Sequence, residues 1–529
     1  MQRCRRFCLK EGVFVAGRRI IWTDEREVNR GNVVKVLEES LPAFFENQMM
    51  CDNLIRYEQG EQPLQREKTY RKDIDIICID NVANEIATFK TSFVWGSEMS
   101  LVQRGRKEMG ENSNISQEAV AILNECYSAE MARSKTQELA YYIEVTGIGY
   151  TLVDINTEYV EGDSYFRYLV FDPMHAFVVR STAHTDHRVV VAVTFREDVA
   201  GNRYFTCFTP QSRFEIVGGK VQNGPVEDYE YWHTGRSGER NPLGVIPLVE
   251  WFRSYDRMGC FERQVDDMNT LNIEESDFAN LVDQNVQSIW HANDVEFAKD
   301  ENGNEKYPKS NDWVFTQTTR DGKTPSITPL AVNADYAGIM MNIASKRALI
   351  LQKCNVPQRN DNSGGSTGVA MSDATGWSQA DVEATKQEGI IEGCKMQEIR
   401  VVLAAIRQSP FVPSDSPLLQ LKPFDVKPNI KRQKNYELVS KVNAFAVMVA
   451  HGIHGLHAIR AISLFEDPQQ VYEDSEELIS KYQTSIFERT QSSSSAVPEK
   501  AGSDEVDQIE NSPTLDGMGS GPVTVKGEV

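Results

Sequence analysis

The chain has 529 residues, of which 40% are hydrophobic, so it is long enough for at least two domains and apolar enough for a buried core. Its formal net charge of −21 argues against a basic surface that clamps nucleic-acid phosphates. The nine cysteines include no CxxC pair, which favours free thiols over a disulfide framework. We expect no signal peptide, because the apolar run near the N-terminus has only about five residues and a signal peptide needs roughly 7–15. We expect no membrane span, because no apolar run reaches roughly 20 residues.

Residues 1–35 form a predicted N-terminal arm that is rich in basic side chains. These include Arg3, Arg5, Arg6, Lys10, Arg18 and Arg19. A solvated arm is the favoured interpretation, and a contact with nucleic acid or a partner shell is the alternative. Cys4 and Cys8 are the only close pair of cysteines, and without a nearby histidine they predict no metal site.

Three helices are predicted before the first strands. Apolar spacings of three and four indicate a helix over 32–57. A second apolar face ends at Gly96, and its members are Ile79, Val82, Ile86, Phe89 and Phe93. One long helix is predicted over 115–147, with Gly147 at its end.

Six alternating segments between residues 149 and 219 predict strands, at intervals of about ten residues. Turn clusters such as "REDVAGNR" separate them. This pattern predicts one antiparallel sheet packed on the preceding helices, so residues 36–255 are predicted to form an α+β domain.

Residues 256–285 predict a long acidic helix. Its apolar stripe is Phe261, Val265, Met268, Leu271, Phe278, Leu281 and Val282. Seven acids and two arginines lie between residues 257 and 283.

Residues 286–332 predict a small β-rich insertion, with Asn-Gly at 302–303 and Asp-Gly at 321–322 as hairpin turns.

A second helix is predicted over 333–354, and a loop rich in glycine and small hydroxyl residues follows at 355–377. A third long helix is predicted over 378–410 and a helical region over 411–490. The tail, 491–529, has the low complexity of an acidic disordered segment.

The sequence offers no convincing active site. "RDGKTP" at 320–325 lacks the first glycine of a phosphate loop, so a hairpin turn is favoured. "NSGGSTG" follows a helix and lacks the lysine of a nucleotide site. His451, His454 and His457 are interrupted by glycines, which favours a turn between helices over a metal site.

Six segments in one order carry a family resemblance. They are "DIICIDNVANEIATFKTSFVWGSEMSL" (74–101), "ELAYYIEVTGIGYTLVDIN" (138–156), "FDPMHAFVV" (171–179), "GVIPLVEWFRSYDRMGCFERQVDDMNTLN" (244–272), "SGGSTGVAM" (363–371) and "AISLFEDPQQVYEDSEEL" (461–478). Together they resemble the portal proteins of tailed bacteriophages, in particular the large portal family of long-tailed phages. One departure is Thr367, where the family usually has serine.

The resemblance implies a ring, usually of twelve subunits, at one capsid vertex, through which double-stranded DNA enters and leaves. It implies these segments: a wing at 36–255, stem helices at 256–285 and 333–354, a clip at 286–332, a tunnel loop at 355–377, a linking helix at 378–410 and a crown at 411–490.

The implied partners are DNA, further copies of the chain, the terminase large subunit, major capsid and scaffolding proteins, and head-completion or adaptor proteins. We expect no membrane partner, no cofactor, no metal and no enzymatic activity, because ATP hydrolysis would belong to the terminase. The expected location is the portal vertex of the virion, after assembly in the host bacterial cytoplasm.

Three groups of candidate site residues follow from this resemblance. The tunnel-loop group is Arg359, Asn362, Ser363, Gly364, Gly365, Ser366, Thr367 and Gly368. The stem cations are Lys346, Arg347 and Lys353, which would touch phosphates or pair with stem acids of a neighbouring subunit. The stem acids, which would keep the duplex centred by repulsion, are Glu262, Asp266, Asp267, Glu274, Glu275 and Asp277. Two alternative functions stay open: a shell or minor capsid protein without a channel, and a nucleotide-dependent assembly factor that uses "NSGGSTG" and Lys353.

Overall fold

A computed structural model describes the residues on which the following account rests. These are 17–64, 74–104, 112–217, 220–221, 239–286, 289–293, 326–330, 334–358, 376–430, 438–462, 464–465 and 471–481. The chain divides into two compact units, Met1–Leu438 and Val439–Val529. Both helices and sheets are present, which confirms the mixed α and β content predicted from the sequence.

Seven long helices lie in the described part of the first unit. They are α1 (Val33–Glu58), α2 (Val82–Trp95), α3 (Asn112–Ala129), α4 (Ala132–Thr146), α5 (Val265–Val286), α6 (Tyr336–Lys353) and α7 (Trp377–Gln408). The strands are β1 (Ile21–Thr23), β2 (Ser100–Gln103), β3 (Ile148–Ile155), β4 (Phe166–Phe171), β5 (Ala176–Ser181), β6 (Val189–Glu197), β7 (Arg203–Phe208), β8 (Ser212–Val217), β9 (Lys220–Val221), β10 (Glu239–Arg240), β11 (Leu248–Phe252), β12 (Ile289–Asn293), β13 (Ser326–Leu330) and β14 (Val426–Asn429).

The six predicted strands are present, but they form two sheets, so the prediction of one sheet is wrong. The larger sheet has the order β1-β5-β6-β7-β8-β10, and β9 pairs with β8. The smaller sheet has the order β11-β3-β4. Strand β3 pairs with β4 on one side and with β11 on the other, so these three strands form a sheet of their own, and β5 starts the other sheet. Strand β11 lies almost 100 residues after β3 in the chain. Alternation within each strand carries no information about such a distant partner.

The described end of the predicted N-terminal arm is part of the larger sheet. Strand β1 pairs in parallel with β5, at Ile21 with Val179. Arg18 is buried and forms an ion pair with Glu262. The expected solvated arm is therefore wrong for Arg18 and for strand β1, while Arg3, Arg5, Arg6 and Lys10 lie outside the described residues. A basic residue is held in this interior position because a buried carboxylate compensates its charge.

The predicted helix over 115–147 is broken into α3 and α4. Met131 at the break has a left-handed φ of 52°. The break places the Glu130 carboxylate where it accepts a hydrogen bond from the Tyr168 N–H at 3.0 Å and pairs with Lys135 at 2.8 Å. The predicted end is confirmed: Gly147 has a φ of 83°, and a Cβ there would lie 2.4 Å from the Arg257 carbonyl oxygen.

The first stem helix begins later than predicted. Residues 262–264 form a 3₁₀ turn, and α5 begins at Val265 instead of near residue 256. Helix α6 follows the prediction closely and runs antiparallel to α5, because Lys353 pairs with Asp267 while Tyr336 contacts Phe278. Between them, β12 and β13 pair antiparallel at the base of the predicted clip. The two predicted hairpin turns of the clip lie outside the described residues.

The start of the predicted crown belongs to the first unit. Leu418, Leu421 and Val426 are buried in the core that α3 and α7 share, and β14 pairs with β2. Residues 418–426 of the predicted crown therefore contribute apolar side chains to a core of the first unit. Helix α8 (Leu438–Ala450) begins at the last residue of the first unit, and the described part of the second unit also contains α9 (Gly455–Ile462) and α10 (471–481). The predicted tail at 491–529 lies outside the described residues.

No described helix combines the length and the apolar character that crossing a membrane requires. The described cysteines are free thiols, as the spacing predicts.

Candidate functional site

The three stem cations pair with acids of their own chain. Lys346 pairs with Glu274, and Lys353 pairs with Asp267 at 2.5 Å. The remaining cation, Arg347, bridges two carboxylates outside α5: Asp80 at 2.7 Å and Glu85 at 2.5 Å. Their side chains stay 37–42% exposed, so water and counterions still reach them.

The predicted stem acids do not form a uniform acidic rod. Glu262 is buried against Arg18 and accepts the Gly259 N–H at 2.9 Å, so its assignment to a channel wall is wrong. The 3₁₀ turn before α5 directs this side chain into the protein. Since Asp267 and Glu274 are ion-paired as well, the field of the stem is weaker than its formal charge suggests.

The other three predicted stem acids differ in their surroundings. Asp266 and Asp277 are exposed. Burial raises the pKa of Glu275 and the Asp80 carboxylate raises it further, whereas Arg347 opposes both effects. Glu275 is half-buried and lies near the charged side chains of Asp80 and Arg347.

The predicted tunnel-loop residues, Arg359, Asn362 and 363–368, lie outside the described residues, but both ends of the loop are described. A Cβ on Gly376 would lie 4.0 Å from the Pro357 Cα, so the chain leaves and returns at one point. Trp377 follows directly and contacts the rings of Phe89 and Phe93 at 5.9 and 5.7 Å between centroids. The loop is thus attached to an aromatic cluster on α2.

A buried charge network fixes the base of this loop. Glu383 of α7 contacts Lys90 at 2.5 Å, Arg253 and the Asn355 amide at 3.0 Å. Arg253 also pairs with fully buried Glu144 at 3.0 Å. The network therefore joins α2, α4, α7 and the segment after β11 to Asn355, the first residue of the predicted loop.

The charges within the network stabilise one another. Burial alone would raise the pKa of Glu383, but Lys90 and Arg253 outweigh it and leave that pKa below the usual value. Burial would lower the pKa of Arg253, and the carboxylates of Glu144 and Glu383 raise it instead. Sequence reasoning missed this network. The available signal was Lys90, a charged residue at a buried position between Ile86 and Val94 on one face of α2.

A second feature that sequence reasoning missed is an extended segment on the stem, residues 74–80, which we call the strap. Ile79 lies in this segment and not on the helical face predicted for it, because α2 begins only at Val82. Every fourth residue of one α5 face binds the strap backbone. The Asn280 amide donates to the Ile76 carbonyl at 2.8 Å, Ser276 donates to the Cys78 carbonyl at 3.1 Å, and Asn272 accepts from the Asp80 N–H at 2.9 Å.

The histidine cluster lies at a turn between helices, as predicted. His451 and His454 fall between α8 and α9, and His454 contacts the Tyr472 hydroxyl at 3.3 Å. Among the described residues, no three His, Cys, Asp or Glu side chains are grouped as metal ligands.

The comparison with protein families decides among the functions considered above. The chain matches the model described as "Phage portal protein, SPP1 Gp6-like" over residues 46–483, which is well over half of its length. The chain belongs to this family of phage portal proteins. The resemblance drawn from the sequence is thereby confirmed, and the DNA-packaging channel of the family is the role of this chain. Members of the family are structural proteins that self-assemble as rings and associate with capsid and tail.

One solved structure that contains a chain similar to this one is described as "Neck of empty GTA particle computed with C6 symmetry". The two chains are 12% identical, and the match covers 75% of this chain and 93% of the other, with a TM-score of 0.37. No curated protein matches the sequence.

Proposed function

We propose that twelve copies of the chain form a closed ring at one capsid vertex and that double-stranded DNA passes through its bore. The observation that carries the proposal is the family match over 46–483, which spans the wing, both stem helices, the loop and the last helices. The antiparallel pair of α5 and α6 supports it, because a helix pair of this kind repeated around a ring would surround a channel. The portal vertex is then the location in the virion, and assembly takes place in the host bacterial cytoplasm.

The segments of the ring divide its partners among them. The clip at 286–332 would bind the terminase large subunit and later the head-completion or adaptor proteins. The wing, whose sheets extend from Ile21 to Phe252, would face the major capsid and scaffolding proteins. Since residues 418–426 contribute to a core of the first unit, we place the start of the crown at residue 438.

We propose that DNA contact in the channel is weak and brief. Duplex DNA carries one negative charge per roughly 1.7 Å of axis, so a row of free cations would hold it tightly. Lys346, Arg347 and Lys353 are instead neutralised by acids of the same chain and remain partly exposed. They can exchange a carboxylate for a passing phosphate at little net cost, and Arg359 with the loop residues 362–368 would add flexible contacts.

The test is native mass spectrometry of the purified chain together with negative-stain electron microscopy. Closed twelve-subunit rings with a channel wide enough for a duplex would support the proposal. Rings or sheets without a bore would favour the shell protein. ATP turnover by the pure protein would favour the nucleotide-dependent assembly factor and would contradict the assignment of ATP hydrolysis to the terminase.

A further inference from the structure

We propose that an acidic, aromatic groove on the first unit binds residues 1–16 of the N-terminal arm of the same chain. The groove has a volume of about 450 Å³ and lies where the turn between β3 and β4 meets α3 and the segment after α7. Its lining includes Glu118, Ile122, Tyr165, Pro413, Asp415 and Pro417. Both partners belong to one chain, so the contact does not depend on the ring proposed above.

A stack of three aromatic rings extends from the wall of the groove. Tyr165 lines the groove, and its ring stacks on that of Tyr159 with the centroids 5.2 Å apart and 13° between the planes. Tyr159 stacks in turn on Phe411, with the centroids 5.3 Å apart and 22° between the planes. Phe411 is 39% exposed. Exposed aromatic faces of this kind bind guanidinium groups.

The charges around the groove are acidic. The described acids here are Glu118 of α3, Glu158, Glu161 and Asp163 of the β3–β4 turn, and Asp415. Among the described residues that line the groove, none is basic. Arg167 at the start of β4 pairs with Glu158 at 3.3 Å. The groove therefore attracts a cationic partner and repels the phosphates of DNA.

Both walls of the groove are fixed by the fold. Buried Asn156 donates to the Ser164 carbonyl at 2.8 Å, which closes the β3–β4 turn. On the other side, the Ser416 hydroxyl accepts the Leu418 N–H at 3.4 Å, and fully buried Leu418 anchors the 3₁₀ helix Pro417–Gln420. Because the walls are already in place, binding orders only the incoming segment.

Residues 1–16 have the composition that the groove requires. Their sequence, "MQRCRRFCLKEGVFVA", carries four basic residues and one acid. Arg3, Arg5 and Arg6 can stack on an aromatic ring and pair with a carboxylate through the same guanidinium group, which a lysine ammonium does less well. Phe7 adds an apolar side chain for the prolines of the groove.

The segment is also long enough to reach the groove of its own chain. It joins the described chain at Gly17, so close to the Asp256 carbonyl that a Cβ would lie 1.9 Å from the oxygen. Asp256 follows β11, which pairs with the first residue of β3, whereas the groove lies beyond the last residue of β3. The eight residues of β3 span roughly 26 Å, and the 11 residues from Arg6 to Gly17 reach about 36 Å when extended.

Protection from chymotrypsin tests the contact in the full chain. This protease cleaves after aromatic residues, so cleavage at Phe7, followed by intact mass spectrometry, reports whether the arm is bound. The wild type should be cleaved slowly at low salt and faster as salt screens the charges. Glu118→Lys/Asp415→Lys should be cleaved at Phe7 about tenfold faster than the wild type, because the groove then repels the arginines.

Two further variants separate this contact from a folding defect. The matched control Glu138→Lys/Asp186→Lys changes two exposed acids that do not line the groove, and it should be cleaved as the wild type is. Adding Arg3→Glu/Arg5→Glu to the groove variant should restore slow cleavage, since opposite charges then face each other again. All variants should keep the melting temperature of the wild type, because every replaced acid is exposed.

A cross-link tests whether the arm and the groove belong to one chain. Asp415→Cys places a thiol at the groove, and oxidation should join it to Cys4 or Cys8 within a single chain, as the mass after denaturation shows. Val199→Cys, at an exposed valine of the β6–β7 turn, should give no such product. Equal cleavage of the wild type and the groove variant, or a cross-link found only between chains, would overturn the proposal.

Discussion

At the scale of single residues, Asp154 makes the stability of the first unit depend on pH. It lies on β3, opposite Arg167 of β4, and its carboxyl is buried. Burial raises the pKa of Asp154 from 3.8 to about 7, although the Ile155 N–H and the charges of Arg213 and Arg167 oppose the increase. Between pH 4 and pH 7, the Asp154 carboxyl is therefore protonated in the folded chain and ionised in the unfolded chain.

We expect Asp154→Asn to be more stable than the wild type at pH 8. Between pH 4 and 7 the wild type loses stability as pH rises, because only the folded state binds the proton, and above pH 7 the loss is complete. The difference should reach up to about 4 kcal/mol in the free energy of unfolding and vanish near pH 4. Thermal denaturation of both proteins from pH 4 to pH 8 measures it. If the difference in stability between the two proteins is the same at pH 4 and at pH 8, the raised pKa of Asp154 is contradicted.

The stem cations raise the question of whether Lys346 acts on DNA or only on Glu274. The swap Lys346→Glu/Glu274→Lys keeps the ion pair and reverses its direction. An ion pair this exposed is worth at most about 1 kcal/mol, so we expect the melting temperature to stay unchanged. DNA packaged per particle should fall, because position 346 now repels phosphate. Wild-type packaging by the swap, with a defect in either single variant, would show that the pair is structural.

At the scale of elements, the Glu144 network decides how α2, α4 and α7 hold together. Glu144 is fully buried and accepts hydrogen bonds from Trp95, Arg253 and Gln387. Glu144→Gln removes the charge that compensates Arg253, and Glu383 compensates it only in part. Because loss of one partner leaves a buried charge, we expect unfolding to be about 3 kcal/mol easier.

Thermal denaturation of Glu144→Gln measures this loss. The control is Glu125→Gln, which removes an exposed acid from the neighbouring helix α3 and should melt as the wild type does. Equal melting temperatures for the two variants would mean that the network does not hold the helices.

Elements with local signals were predictable, and their partners were not. Glycine marks the ends of α2 and α4, for different reasons. Gly147 has the left-handed φ of 83° that glycine adopts at low cost, whereas Gly96 has an ordinary φ of −66° and a Cβ there would overlap the Ser92 carbonyl oxygen. The strap was assigned to a helix because Ile79 continues the spacing of Val82 and Ile86. Its extended form depends on Asn272 and Asn280, about 200 residues away, and no local pattern contains that contact.

At the scale of the whole molecule, the order of segments was predictable from the sequence. The ion pairs that neutralise acidic side chains of the stem were not. Composition gives a charge of −21 and an acidic stem. The folded chain places Arg18 on Glu262 and Lys353 on Asp267, so formal charge overstates the field along the stem. The candidate loop was found from glycine and serine content, but the network at its base requires four distant segments to meet.

The loop supplies the prediction that concerns the whole ring. Deleting residues 363–367 shortens the 17 residues between Gln358 and Gly376 to 12. The two attachment points lie side by side, so the shorter loop can still close, and its closure entropy changes by only about 0.3 kcal/mol. Ring assembly and melting temperature should therefore stay as in the wild type. Packaging or retention of DNA should fall, because each shortened loop follows the duplex less well.

A variant with five alternating Gly and Ser residues at 363–367 keeps the length and should package normally. If the deletion itself packages and retains a full genome, these residues do not contact DNA in the channel.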